Sequence, residues 1–299
     1  MDWAALSDDI RARYGIKIDG AGAREVGGGC INRCWSVAGD GVRWFLKVNR
    51  RESAAMFVAE ARGLAALGKS RAIRVPAVVG DGHTADCAYL LLEWIPLANA
   101  GHGAAAELGA GLAALHRDMA ERFGFDVDNF IGSTPQPNGW RETWAEFFSE
   151  QRLAYQLRLA ARNGYGGALQ ELGAQLRQCL PELLAGHAPA PSLLHGDLWG
   201  GNWSCDEHGK PVIFDPAVYF GDREADLAMT RLFGGFGGDF YAAYEDGWPL
   251  PAGAAERVPL YNLYHILNHT NLFGGSYLDQ AVSMMRRLLR QDRPMADRP

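Results

Sequence analysis

The 299-residue chain has little cysteine, no long apolar run and no surplus of positive charge, and each shortage removes a class of protein. Its five cysteines (Cys30, Cys34, Cys87, Cys179 and Cys205) are odd in number, scattered and without a CxxC pair. That pattern speaks for reduced thiols and against a disulfide framework or a zinc site. No stretch approaches the roughly 18 uninterrupted apolar residues of a membrane span. The N-terminal MDWAALSDDIRARYG is acidic and amphipathic, where a secretory leader would be basic and then apolar. We therefore expect a cytoplasmic protein with no membrane partner. Lysine and arginine total 29 against 35 aspartates and glutamates, a formal net charge of −6, so no nucleic-acid partner is expected either. Internal repeats are missing, and the terminal QDRPMADRP is expected to fray.

What is present is enough apolar material, 48% of residues, for a sizeable core. The first ninety or so residues read as strands around one helix. Trp44-Phe45-Leu46 ahead of Lys47 and the run Ala88 to Trp94 are buried-strand candidates, and Ser53 to Leu67 predicts a helix with Ser53 as N-cap. After Pro96 the pattern turns helical. Leu108, Leu112, Leu115 and Met119 share a face, and Trp140 to Ala161, Gly167 to Leu180, Pro259 to Phe273 and Ser276 to Arg290 continue it. The prediction is an α+β fold in two parts, residues 1–95 and 96–299.

The strongest chemical signal is LLHGDLWGGNW (193–203), where Asp197 precedes Asn202 by five residues. This is the spacing of a kinase catalytic loop, in which the Asp accepts the proton of an attacking hydroxyl and the Asn holds Mg2+. VIFDPA (212–217) then ends an apolar strand at Asp215, a candidate second Mg2+ ligand. Presenting the γ-phosphate of ATP to an oxygen requires such hard ligands and one positioning carboxylate to converge. Lys47, on a predicted strand, is a candidate phosphate contact, and Glu60 on the next helix its partner. In EVGGGCINRCW (25–35) the backbone N–H groups of Gly28, Gly29 and Cys30 could approach the phosphates. Glu93, Trp94 and Ile95 stand where a hinge would offer backbone groups to adenine. Two departures from protein kinases, Gly196 in place of Arg before the catalytic Asp and DPA in place of DFG, point to an enzyme without a phosphorylation switch.

Beyond these shared parts the chain resembles the fructosamine/ketosamine-3-kinases over nearly its whole length, through GGGCIN (27–32), FLKVNRR (45–51), MFVAEARGL (56–64), FGFDVDNFIGSTPQPNGW (123–140) and DPAVYFGDREADLAM (215–229). Aminoglycoside phosphotransferases and choline kinases share HGDxxxxN but not those segments. The resemblance implies a two-lobed protein-kinase-like fold, with a small antiparallel N-lobe sheet and a larger helical C-lobe. It also implies ATP-dependent phosphorylation of the 3-hydroxyl of ketosamines on glycated lysine, glycated proteins or small amines, by a monomer or homodimer. Asp197 would be the base, Asn202 and Asp215 the magnesium ligands, Lys47 the phosphate contact, and Trp199 a wall of the sugar pocket. Cys30 stands where the family carries a redox-sensitive cysteine, and Asp222 where it usually carries His. The alternative is a kinase for another small-molecule hydroxyl, of the aminoglycoside, choline or homoserine type.

Overall fold

The computed structural model describes residues 1–27, 31–101 and 103–291. The chain opens with helix α1 (Trp3–Tyr14), then strands β1 (Ile18–Val26), β2 (Arg33–Gly39) and β3 (Val42–Arg50), helix α2 (Ala54–Ser70), and strands β4 (Val78–His83) and β5 (Cys87–Glu93). The five strands form one antiparallel sheet in the order β1-β2-β3-β5-β4. β5 is a continuous apolar run because both of its faces are covered. Tyr89 and Leu91 turn to a cluster that includes Leu6 and Ile10 of α1, while Ala88, Leu90 and Leu92 turn to Phe57 and Leu64 of α2. Complete burial of a Phe or Leu side chain stabilises by about 1.5–3 kcal/mol, so both helices are fastened to the sheet. Ser53 does precede α2, but its hydroxyl makes no capping bond, because a 3₁₀ turn at Arg51–Ser53 leads into the helix instead.

The remainder runs β6 (Leu97–Ala98), α3 (Ala104–Leu115), β7 (Asn129–Ile131), β8 (Thr134–Gln136), α4 (Trp144–Phe147), a π-helical stretch (Phe148–Ala154), α5 (Tyr155–Arg162) and α6 (Ala168–Leu183). It continues through β9 (Ser192–Leu194), β10 (Trp203–Asp206), β11 (Pro211–Ile213), β12 (Tyr219–Gly221), α7 (Arg223–Leu232), α8 (Gly238–Gly247), α9 (Ala254–Phe273) and α10 (Ser276–Gln291). The expected α+β division into a small antiparallel sheet and a mainly helical remainder is what the chain adopts. Among the described residues no helix is long and apolar enough to cross a membrane.

Two helical expectations are revised. α3 stops at Leu115, leaving Met119 exposed beyond it. The single helix expected from Trp140 starts only at Trp144, where Thr143 caps it by accepting from Glu146 N at 3.3 Å. It then widens into the π stretch, which carries Arg152 into the interior. That guanidinium is fully buried, lies 4.0 Å over the Tyr219 ring and donates to Pro137 O at 2.6 Å and Asn138 Oδ1 at 2.8 Å.

α9 is the central helix of this part, buried continuously from Leu260 to Asn268, as expected of a helix packed on all sides. It holds His265, whose Nδ1 has no hydrogen-bond partner among the described residues. Burial first, and then neighbouring His269, push His265 down to about 3 from the ordinary 6.5. The unfolded chain therefore binds a proton between pH 6.5 and about 3 that the folded chain refuses, so stability falls as pH falls across that window. His265 alone is expected to cost about 2 kcal/mol between pH 7 and pH 5. Denaturant unfolding at both pH values, repeated on His265→Gln, checks this: the variant should lose part of the slope, and an unchanged slope assigns it elsewhere.

Candidate active site

β3 and α2 meet behind the cleft between the two parts, and there Lys47 is buried between two carboxylates. Its Nζ donates to Glu60 Oε1 at 2.5 Å and to the carboxylate of Asp215. Alternation along β3 turns Lys47 toward α2, and Glu60 faces it from the helix. Burial alone would lower the lysine's pKa, but Asp215 and Glu60 outweigh it and hold the ammonium above its ordinary range. Burial likewise raises Glu60, against the pull of Lys47. A buried cation is tolerated here because two carboxylates are hydrogen-bonded to it.

The loop after β9 brings the other groups to the same place. Asn202 Nδ2 donates to Asp197 O at 2.8 Å and, more weakly, to Asp197 Oδ2 at 3.3 Å. The Asn202 amide nitrogen is thereby committed, and its oxygen is the atom it can offer a cation. Asp215 lies two residues past the end of β11, with φ +56, a left-handed conformation that costs a non-glycine residue about 1–3 kcal/mol. Backbone bonds on both sides fix that turn: Phe214 N donates to Asn202 O at 3.1 Å and Ala217 N to His195 O at 2.8 Å. Asp215 keeps a side chain 45% exposed to the cleft. Hard oxygens from Asn202 and Asp215 are donors of the type that Mg2+ takes. Burial, followed by the charge of Asp215, lifts Asp197 well above the usual carboxylate range, which makes it a better proton acceptor.

Two cavities meet at this cluster. The first, about 230 Å³, is lined by Ile31, Asn129, Phe130, Asp197, Trp199 and Asn202 among others. The second, about 250 Å³, is mainly apolar, with Phe45, Leu64, Leu92, Ile95 and Phe214 on its walls. Lys47, Glu60 and Asp215 belong to both. Asp197 belongs only to the first. Trp199 stands at the rim, 40% exposed, with its ring edge-on to Phe233. Gly201 lies under that ring, where a Cβ would meet it at 2.4 Å.

Of the expected hinge residues, Glu93 and Ile95 line the second cavity, whereas the Trp94 indole packs beside Phe45 and beneath Arg43. Gly28, Gly29 and Cys30 lie outside the described residues. Asp222 is away from both cavities: buried, it caps α7 and binds His187 Nε2 at 2.6 Å and Tyr261 OH at 2.5 Å. In the helical part, Asn138 and His265 are buried and Trp140 stacks on Phe220, so these three serve packing.

A residue given no role from sequence holds the loop. Asp226 of α7 is buried and accepts from His195 N at 2.7 Å and Gly196 N at 2.8 Å, with His116 Nε2 at 3.2 Å. Gly196 has φ +82, and a Cβ there would lie 2.0 Å from Ala217 O. The departure from Arg at this position is therefore dictated by the backbone as well. Asp226 shares its helix face with Arg223, Met229 and Thr230, four residues after the capping Asp222, so no apolar stripe marked it out.

Residues 2–291 match the family model described as fructosamine kinase. A Synechocystis protein named as a probable ketoamine kinase is 43% identical over 96% of this chain and 97% of its own length. The chloroplastic protein-ribulosamine 3-kinase of Arabidopsis thaliana is 43% identical over 96% of this chain and 90% of its own. Among solved structures, a Haemophilus somnus protein provisionally named fructosamine-3-kinase superposes with a TM-score of 0.86 at 32% identity, covering 96% of this chain and 97% of that one. The aminoglycoside phosphotransferase APH(4)-Ia superposes at 0.62 and 18% identity, a likeness of fold.

Proposed function

The chain belongs to the fructosamine kinase family, and from that premise we propose that it is a ketosamine-3-kinase, transferring the γ-phosphoryl group of ATP to the 3-hydroxyl of ribulosamine or fructosamine adducts. The observation that carries the reading is the wall shared by two cavities, where a buried lysine and Asp215 stand beside Asp197. The apolar slot suits adenine, and the first cavity suits a sugar approaching Asp197. Residues 1–95 form the ATP-binding part in this reading and 96–299 the catalytic part, in a cytoplasmic enzyme.

Asp197 takes the proton of the 3-hydroxyl as its oxygen attacks the γ-phosphorus, and ADP leaves. Lys47 offsets charge on the phosphates, with Glu60 keeping its ammonium in place. Asn202 and Asp215 would hold Mg2+, which when bound neutralises phosphate charge and aligns the transferred group. Trp199 gives the sugar pocket an apolar rim. Phosphate at C3 then makes the adduct labile: loss of a proton from C1 to the C2 carbonyl side gives an enolamine whose electrons expel phosphate from C3. The imine left at C1 hydrolyses and frees the amine.

ADP release with ribulose-lysine and fructose-lysine, set against kanamycin, choline and homoserine, tests the assignment. Turnover of a ketosamine above all three others is expected. Turnover of another acceptor with none of either ketosamine would overturn the acceptor class while leaving the phosphotransferase chemistry standing.

A further inference from the structure

Behind the apolar slot, the segment between α2 and β4 crosses from the sheet-bearing part to the helical part. Ile73 is buried in the core cluster of α3, with Leu108, Leu112 and Ile213. The carbonyl of Arg74 accepts from Ile213 N at 3.0 Å, beside Val212 in a parallel bridge. The Arg74 side chain reaches both ways: Nη2 donates to Glu93 Oε1 at 2.7 Å and Nη1 to Asp206 Oδ2 at 2.6 Å. Glu93 is held further by Ala77, whose N–H meets Oε2 at 3.1 Å and whose carbonyl accepts from Glu93 N at 2.9 Å. Asp206 is anchored on the β10–β11 turn, accepting from His208 N and Lys210 N at 2.9 and 3.0 Å. Glu93 and Val212, two wall residues of the slot, are thus tied together by a residue that does not line it, two positions before a third, Pro76.

We propose that Arg74 is a positioning residue for the nucleotide, a guanidinium clamp between Glu93 and Asp206 that sets the width of the slot taking adenine. The proposal rests on the reading of that slot as the adenine site. One planar fork with separate nitrogens can hold two carboxylates from different strands, Glu93 of β5 and Asp206 of β10, which a lysine ammonium on a single stem does less well. Both ends of the clamp belong to elements that would move apart if the cleft opened, so its loss should be felt by the nucleotide and hardly by the acceptor, whose cavity includes none of these residues.

The test is calorimetric binding of ADP with Mg2+, which needs no acceptor, together with steady-state kinetics. Arg74→Ala is expected to weaken ADP binding and raise KM for ATP by about fivefold each, with kcat and the acceptor KM essentially unchanged. Arg74→Lys should recover only part of the affinity. Because the pair is partly exposed, added salt should weaken ADP binding more steeply in the native protein than in Arg74→Ala. Unchanged ADP affinity in Arg74→Ala would overturn the clamp, as would kcat and both KM values worsening together with a fall in Tm. Full recovery by Arg74→Lys would overturn the two-carboxylate geometry. A native protein that binds no ADP would instead remove the adenine reading beneath it.

Discussion

Asp197→Ala is expected to lower kcat by about a thousandfold while leaving Tm and the affinity for ATP close to those of the native enzyme. The expectation of intact folding comes from what the carboxylate does in the structure. Among the described residues its one side-chain hydrogen bond is the long contact from Asn202 Nδ2 at 3.3 Å, and the stronger bond from that amide goes to the backbone carbonyl, which survives the change. Removing a carboxylate that burial and Asp215 already disfavour in its charged form should not destabilise the fold. ATP affinity should persist because Asp197 is not among the residues of the apolar cavity. Asp197→Asn separates shape from basicity: it keeps the volume and loses the proton acceptor, so it should be nearly as impaired as alanine. Single-turnover and steady-state kinetics with a ketosamine acceptor, alongside thermal unfolding, give the measurement. An asparagine enzyme retaining a tenth or more of native kcat would remove Asp197 as the base.

Much of this cleft was legible from the order of short motifs, because phosphoryl transfer admits few residue types at few spacings. Asp197, Asn202 and Asp215 announce themselves by HGDxxxxN and the Asp that follows, and Lys47 and Glu60 by lying on consecutive strand and helix. The structure brings all five together. The apolar run of β5 was legible for the same reason: only a strand covered on both faces reads that way. Other features escaped for reasons equally physical. The α1 segment reads as amphipathic, but its two buried residues, Leu6 and Ile10, are too few to say that it docks on the sheet. The π stretch at Phe148–Ala154 breaks the 3.6-residue period that periodicity reading assumes, so the inward turn of Arg152 could not be anticipated.

Arg74, Asp206 and Asp226 escaped for a different reason. Each acts on a partner over a hundred residues away or on backbone N–H groups, and neither leaves a local spacing. Gly196 shows how a correct observation can carry an incomplete cause. Its presence in place of Arg was read as the absence of a phosphorylation switch, yet its positive φ and the approach of Ala217 O exclude any side chain there.

Asp226→Asn is expected to cost both stability and rate, which sets it apart from Asp197→Ala. Asp226 accepts two consecutive backbone N–H groups at the entrance of the catalytic loop while facing His116, whose other ring nitrogen meets Tyr244 OH at 2.8 Å. Burial would raise its pKa, but His116 and the loop amides overcome that and hold it below the usual carboxylate range. Its stabilising contribution is therefore complete above about pH 4 and lost as pH falls through the depressed folded value. An asparagine offers one acceptor oxygen and one NH2 group, and the NH2 must face either His195 N or Gly196 N, both donors. One buried N–H is left without a partner and the charge opposite His116 disappears. Breaking a buried charged network of this kind costs about 3–5 kcal/mol, a fall in Tm of about 10 °C for a chain of this size. The rate should fall as well, because Gly196 precedes Asp197 directly and a displacement of about 1 Å can cost a hundredfold. Thermal unfolding and kcat at saturating ATP and ketosamine measure both effects, with assays run below the lowered transition so that only folded enzyme is compared. If the folded variant turns over at the native rate, the loop is positioned by its own turn at Gly196 and by the His195–Ala217 backbone bond, and Asp226 serves stability alone.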